Sequence, residues 1–201
     1  LFTLFIQGFI GGFTVIDKNS PWSVAVHLGF ALFLLSLVIR VFIYSKNIDY
    51  IYKIPYRKKN IFIYFLTLLL VFITMLMGAI VSKSGSSLAC DLWPICSNDN
   101  MSIFQINKFI HVMHRFLALI SSFLVVWSFI LMKEFKDIPY MQYIRKIVLA
   151  LVLIQIFMGA LVIFFEVNIV IAMIHQILAV LLFMMLSAML WVSLDLSYKD
   201  K

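Results

Sequence analysis

Four histidines, two cysteines and one arginine carry most of the chemistry available to this sequence of 201 residues. His27, His111, His114 and His175 are bedded in apolar runs, and Arg115 follows directly on His114. Cys90 and Cys96 share one loop, with DLWPI between them. Imidazoles in apolar surroundings ligate metals, relay protons or pack as polar residues. Zinc calls for four nitrogen or sulfur ligands, or an open site with carboxylates nearby. A proton relay also calls for Asp or Glu, and the apolar runs hold neither. Haem iron asks for less: two axial imidazoles from facing helices and an apolar, aromatic wall. The 20 phenylalanines can supply that wall. His111 and His114, three apart, share a helical face. One of them suffices as a ligand, and His114 is the better candidate because Arg115 beside it suits a propionate. A lone pair of cysteines with five residues between them cannot fill a zinc site. A stapling disulfide, worth on the order of 2 kcal/mol for so short a loop, and a redox-active pair both stay open.

The elements that must position these residues are membrane spans. The chain is 64% hydrophobic and 12% charged, with a mean hydropathy of +1.08. Ordinary soluble domains are about 45–50% apolar and about 25% charged, so a soluble globular domain is excluded. Runs at 23–45, 61–82, 107–132, 147–165 and 169–193 are each long enough to cross a bilayer. A sixth run, 1–16, is too short to span alone. It opens on Leu1 without the charged start or cleavage site of a signal peptide. The expectation is therefore a fragment cut within a helix.

A net charge of +7 would suit nucleic acid, but its placement points elsewhere. With loops assigned alternately to two sides, one side collects Lys46, Lys53, Arg57, Lys58, Lys59, Lys133, Lys136, Arg145, Lys146, Lys199 and Lys201. The other has Lys18, Lys83 and Lys108. Eleven against three marks the first side as cytoplasmic. Arg40, near that end of its span, is expected to snorkel to the headgroups. The 46–60 connector, rich in Lys and Tyr, is expected to lie on anionic lipid, and the LDLSYKDK tail to fray. All four histidines then fall within about two helical turns, roughly 11 Å, of the outer surface. The cysteine loop faces the oxidising side, where a disulfide forms readily.

Two stretches repeat. QGFIGGFTV at 7–15 aligns with QIFMGALVI at 155–163, so that Gln7, Phe9 and Gly11 match Gln155, Phe157 and Gly159. The same offset pairs His27 with His175 and Ala31 with Ala179. A repeating unit of four spans follows, its first copy lacking a front pair. Gly8, Gly11 and Gly12 are read as a surface on which another helix can approach closely.

GAIVSKSGSSLACDLWPIC, then HVMHR, QIFMGALV and IHQILA, resemble the haem A synthase family of cytochrome oxidase assembly proteins in motif order. QGFIGGFTV with His27 resembles that family's third and fourth spans. The resemblance implies an all-α polytopic membrane bundle of eight helices in two four-helix halves, six of them present here. Residues 1–45 would end the half that holds the substrate, haem O, with His27 as one of its ligands. Residues 61–201 would form the other half, binding haem b between His114 and His175, with Arg115 alongside. A Cys90–Cys96 disulfide is implied as well. So is oxidation of a haem methyl to a formyl through hydroxylated intermediates, in a bacterial inner (cell) membrane, with haem O synthase and oxidase assembly factors as partners besides lipid. The family's first two spans, with their glutamate-and-histidine motif, have no counterpart. His111, in the cofactor half, cannot stand in for that glutamate, so no catalytic residue can be named and this piece alone is expected to be inactive. A bis-histidine electron-transfer cytochrome and a haem-free transporter or scaffold are the competing readings.

Overall fold

The computed structural model describes residues 1–45, 58–90, 92–94, 96 and 105–198. Six α-helices account for nearly all of them: α1 (Phe2–Ile16), α2 (Pro21–Ser45), α3 (Lys58–Lys83), α4 (Gln105–Leu131), α5 (Pro139–Phe164) and α6 (Ile169–Tyr198). No strand occurs among the described residues. Helices α2 to α6 are long and apolar enough to cross a membrane, and α1 has 15 residues. In lipid a helix satisfies every backbone donor and acceptor within itself, which is why apolar runs of this length take no other form. The protein is a polytopic membrane helical bundle.

Helices adjacent in sequence pack as antiparallel hairpins, α1 on α2, α3 on α4 and α5 on α6, while α2, α3 and α6 also meet one another. The apolar core gathers at the end away from the histidines. Leu32 and Ile43 meet Tyr64 and Val71, Val125 and Met132, Met141 and Val148, and Leu186 and Met189 there. Polar side chains bind the helices at the same end. Asn60 and Tyr64 donate to Glu134 at 2.7 and 2.9 Å, and Thr67 and Ser128 share a hydrogen bond of 2.8 Å. The Trp191 indole donates to the Ser36 hydroxyl at 3.0 Å. Such interhelical bonds contribute about 0.6 kcal/mol each in a bilayer.

Three local readings change. Arg40 does not reach for headgroups: it ion-pairs with Asp195, an acidic residue inside α6, and lies 5.3 Å from the Trp191 ring centre. Of the tail expected to fray, residues 194–198 belong to α6, which that pair holds, and 199–201 lie outside the described residues. Helix α5 starts at Pro139 rather than near 147, because proline is pre-set for a first helical turn and Arg145 is anchored within the protein. Its guanidinium donates to the Phe129 carbonyl at 2.7 Å and covers the Phe129 ring. Of the 46–60 connector, residues 46–57 lie outside the described residues, and 58–60 belong to α3.

The repeat seen in the sequence reaches the backbone. Lys18 and Asn19 end α1 with φ of 52° and 56°; Glu166 and Val167, the same 148 residues on, end α5 with φ of 48° and 61°. Asn19 N–H donates to the Thr14 carbonyl at 2.9 Å, and Val167 N–H to the Val162 carbonyl at 2.8 Å. Ser20 caps α2 through the Ser23 N–H at 3.3 Å, and Asn168 caps α6 through the Ile171 N–H at 3.4 Å. Left-handed residues after a helix satisfy its last carbonyls, and Ser and Asn are favoured N-caps. The two turns therefore use the same hydrogen bonds with different side chains.

Candidate functional site

Each hairpin brings one histidine against one helix glycine. His27 on α2 faces Gly11 on α1, His114 on α4 faces Gly78 on α3, and His175 on α6 faces Gly159 on α5. A methyl group on these glycines would stand 3.0, 3.1 and 3.3 Å from the respective imidazole Cε1. The close approach read into the first glycine run is thus made by an imidazole rather than by a helix, and only at Gly11. Around Gly8 and Gly12 nothing lies within 4 Å of such a methyl. Gly29 is where α2 comes close to another helix, meeting Phe72 and Leu76 of α3.

The residue four before each glycine, one turn back on the same helix face, holds the imidazole. His114 Nδ1 donates to the Thr74 carbonyl at 3.1 Å. The Gln7 amide donates to His27 Nδ1 at 3.2 Å, and the Gln155 amide to His175 Nε2 at 3.3 Å. Thr74, Gly78 and Gly159 were not singled out as site residues from the sequence. The part legible in the sequence was a glutamine with glycine four on, in two spans; at Thr74 the acceptor is a backbone carbonyl, which no residue type signals. His175 Nδ1 is buried with no hydrogen-bond partner, as are Gln7 Oε1 and Gln155 Oε1. A buried polar atom left unpaired costs about 1–3 kcal/mol.

His111 is turned to other work. It is 4% exposed, and its Nδ1 donates to the Ser86 carbonyl at 2.8 Å, tying α4 to the short turn Ser86–Leu88. Arg115 reaches the same loop and donates to the carbonyls of Leu92 at 2.7 Å, Pro94 at 3.2 Å and Cys90 at 3.2 Å. Cys90 and Cys96 are joined as a disulfide, with Cys90 fully buried. The loop is thereby closed on itself and fastened to the helix that carries His114.

A model of the cytochrome oxidase assembly protein family, COX15-CtaA, matches residues 1–187. The chain belongs to that family. Among curated relatives of this family member, the haem A synthase of Geobacillus kaustophilus (strain HTA426) is 29% identical over 199 residues, 95% of this chain and 62% of the relative. That of Staphylococcus saprophyticus is 30% identical over 184 residues, 90% and 61% of the two chains. That of Oceanobacillus iheyensis is 28% identical over 213 residues, 98% and 66%. The chain spans about three fifths of the length of the first two. The residues present fit a haem: an imidazole on α4 and another on α6, one with a buried nitrogen that lacks a partner, and no carboxylate required.

Proposed function

We propose that this chain is the larger part of a membrane oxidoreductase like haem A synthase, which oxidises a methyl group of haem O to the formyl of haem A for cytochrome oxidase assembly. The observation that carries the reading is the pair His114 and His175 at one end of a bundle of this family. Each is held on one nitrogen by the helix beside it, and the second nitrogen of His175 is buried without a partner. These two imidazoles would hold a haem b, which would supply one-electron transfer. His27, held by Gln7 through Nδ1, ligates the substrate haem O. Arg115 sits at the same end, where a propionate would emerge, while it secures the cysteine loop.

Residues 1–45 close a substrate half and 61–201 form the cofactor half of an eight-helix protein, joined by the 46–60 connector. The relatives' greater length supports this division. The catalytic group then lies in spans outside these residues. The excess of Lys and Arg on the connector side supports an orientation in a bacterial cell membrane with the cysteine loop outside. Haem O synthase and oxidase assembly factors, which must pass so apolar a haem directly, are the natural partners.

One observation favours a second reading, a bis-histidine cytochrome with permanent haems. The Gln–Gly–His sets of the two hairpins are alike, as two equivalent haem sites would require. Pigment extraction from the full-length protein, produced with a supply of haem O, decides between them. Haem A is expected; unmodified haem alone would return the second reading. A folded protein with no Soret band would exclude both.

A further inference from the structure

We propose that Gly78 and Gly159, and Gly11 in the first hairpin, are positioning residues. Each leaves a notch in its helix that seats an imidazole against the residue one turn earlier, and so fixes the ring's orientation and the nitrogen presented to iron. The proposal rests on the haem reading above and specifies how this chain prepares its ligands.

Three independent placements carry it. The glycines at 11, 78 and 159 lie on three different helices, and each meets the Cε1 of a histidine from the next helix within 3.3 Å of where a Cβ would be. A Cβ contact at 3.0 to 3.3 Å requires the imidazole to give by a few tenths of an ångström. In each case the holding residue stands four positions before the glycine: Gln7, Thr74 and Gln155. Glycine is among the poorest helix formers, and Gly8 and Gly12 show that a helical glycine here need touch nothing. At Thr74 the acceptor is the backbone carbonyl, which a side chain at position 78 would screen. With Nδ1–H committed to that carbonyl, the lone pair of His114 stays on Nε2. At Gln155 and Gln7 the side-chain amide takes the corresponding place. Both amides leave Oε1 buried and unpaired. At Gln155, turning the amide end for end lets Oε1 accept the ring N–H, which leaves the other ring nitrogen as the ligand; the Gln7 amide also donates to the His27 carbonyl at 3.3 Å. Partners of metal-bound imidazoles fix tautomer and ring plane, and their loss weakens metal binding by about 10–100-fold.

The test uses the full-length protein in detergent, with hemin as the probe. Wild type, Gly78→Ala, Gly159→Ala and the controls Gly8→Ala and Gly12→Ala are compared by hemin titration, by electron paramagnetic resonance of the low-spin ferric signal, and by circular dichroism. Both notch variants should bind hemin on the order of tenfold more weakly and shift or lose the low-spin signal, with helicity unchanged and both controls like wild type. Wild-type affinity and an unshifted signal in both notch variants would overturn the proposal while leaving the haem reading intact. Should Gly78→Ala fail to fold, Gly159→Ala, with the wider gap, decides alone. Should wild type bind no hemin, the haem reading fails, and nitrogen-15 spectra of labelled histidine decide the notch separately. An Nδ1–H tautomer at His114 that Gly78→Ala abolishes supports it; identical spectra in the two proteins refute it.

Discussion

The hairpin α1–α2 and the hairpin α5–α6 are nearly the same object in two settings. Both turn through two left-handed residues, cap the second helix with Ser20 or Asn168, and set a glutamine and a glycine against a histidine sixteen residues after the glycine. Their surroundings differ. Helix α5 packs on both α4 and α6, and α6 on α2, α3 and α5, whereas α1 has α2 as its main neighbour. Phe5 and Phe9 of α1 are more than 70% exposed, while α6 contributes Phe183, Leu186 and Met189 to the core. The seat of the imidazole is therefore a property of the hairpin itself. What surrounds it is decided by neighbouring helices, which for α6 are α2, α3 and α5.

The largest effects should separate the hairpins outright. His114→Ala or His175→Ala is expected to abolish a low-spin b-type spectrum in the full-length protein, because each would remove one of the two proposed haem ligands. His27→Ala should spare that spectrum and reduce retention of haem O. Loss of the b-type signal from His27→Ala would mean that the roles of the two hairpins are reversed.

Next in size is the contact that joins the first hairpin to α6. Arg40→Ala leaves Asp195, with a side chain only 10% exposed, without its cation. Removing one partner of a fully buried pair costs about 3–5 kcal/mol; with Arg40 about one-third exposed, a loss of about 2 kcal/mol is expected. Denaturant titration would measure it. The b-type spectrum should stay intact, since the pair lies at the opposite end of the bundle, and a change there would show that the two ends are coupled.

Smaller still is the strain that distinguishes the turns. Asn19 accepts a left-handed backbone readily, whereas β-branched Val167 at φ 61° does not. Val167→Gly should stabilise the second hairpin by about 1 kcal/mol, and Asn19→Gly should change little; equal effects in thermal melts would mean that the turns are not alike after all. The smallest contrast is acidity. Hydrogen bonds from Ser20 and then Ser23 hold the Asp17 carboxyl below its ordinary value of 3.8. A carboxyl lowered by folding contributes stability above that ordinary value, and loses it as pH falls through the folded-state pKa. The equivalent position, Phe165, cannot titrate. Melting followed below about pH 4 should show a slight acid sensitivity that Asp17→Asn removes.

Much of this was legible in the residues. Five spans could be placed because apolar length alone dictates a helix in lipid, and the duplication because Gln7, Gly11 and His27 recur unchanged at a fixed offset. Helix ends were less so: the start of α5 depends on where Arg145 finds the Phe129 carbonyl, a tertiary contact that hydropathy does not register. Arg40 illustrates the same limit, since its partner lies 155 residues away. The glycines were read for the wrong neighbour. Small residues at helical spacing allow any close approach, and only the packed helices reveal that Gly11 admits a ring while Gly8 and Gly12 meet nothing.

The sixteen-residue interval from glycine to histidine acts as a ruler. One residue inserted into either short turn would rotate the following helix by about 100° against its predecessor and carry the imidazole off the notch. Insertions and deletions should therefore be purged from these two turns over evolutionary time. The interval from Gly78 to His114 is thirty-six residues, and its loop is fastened by Arg115, His111 and the disulfide rather than by its length. Lineages that vary in size at this end of the bundle should do so between Gly78 and His114.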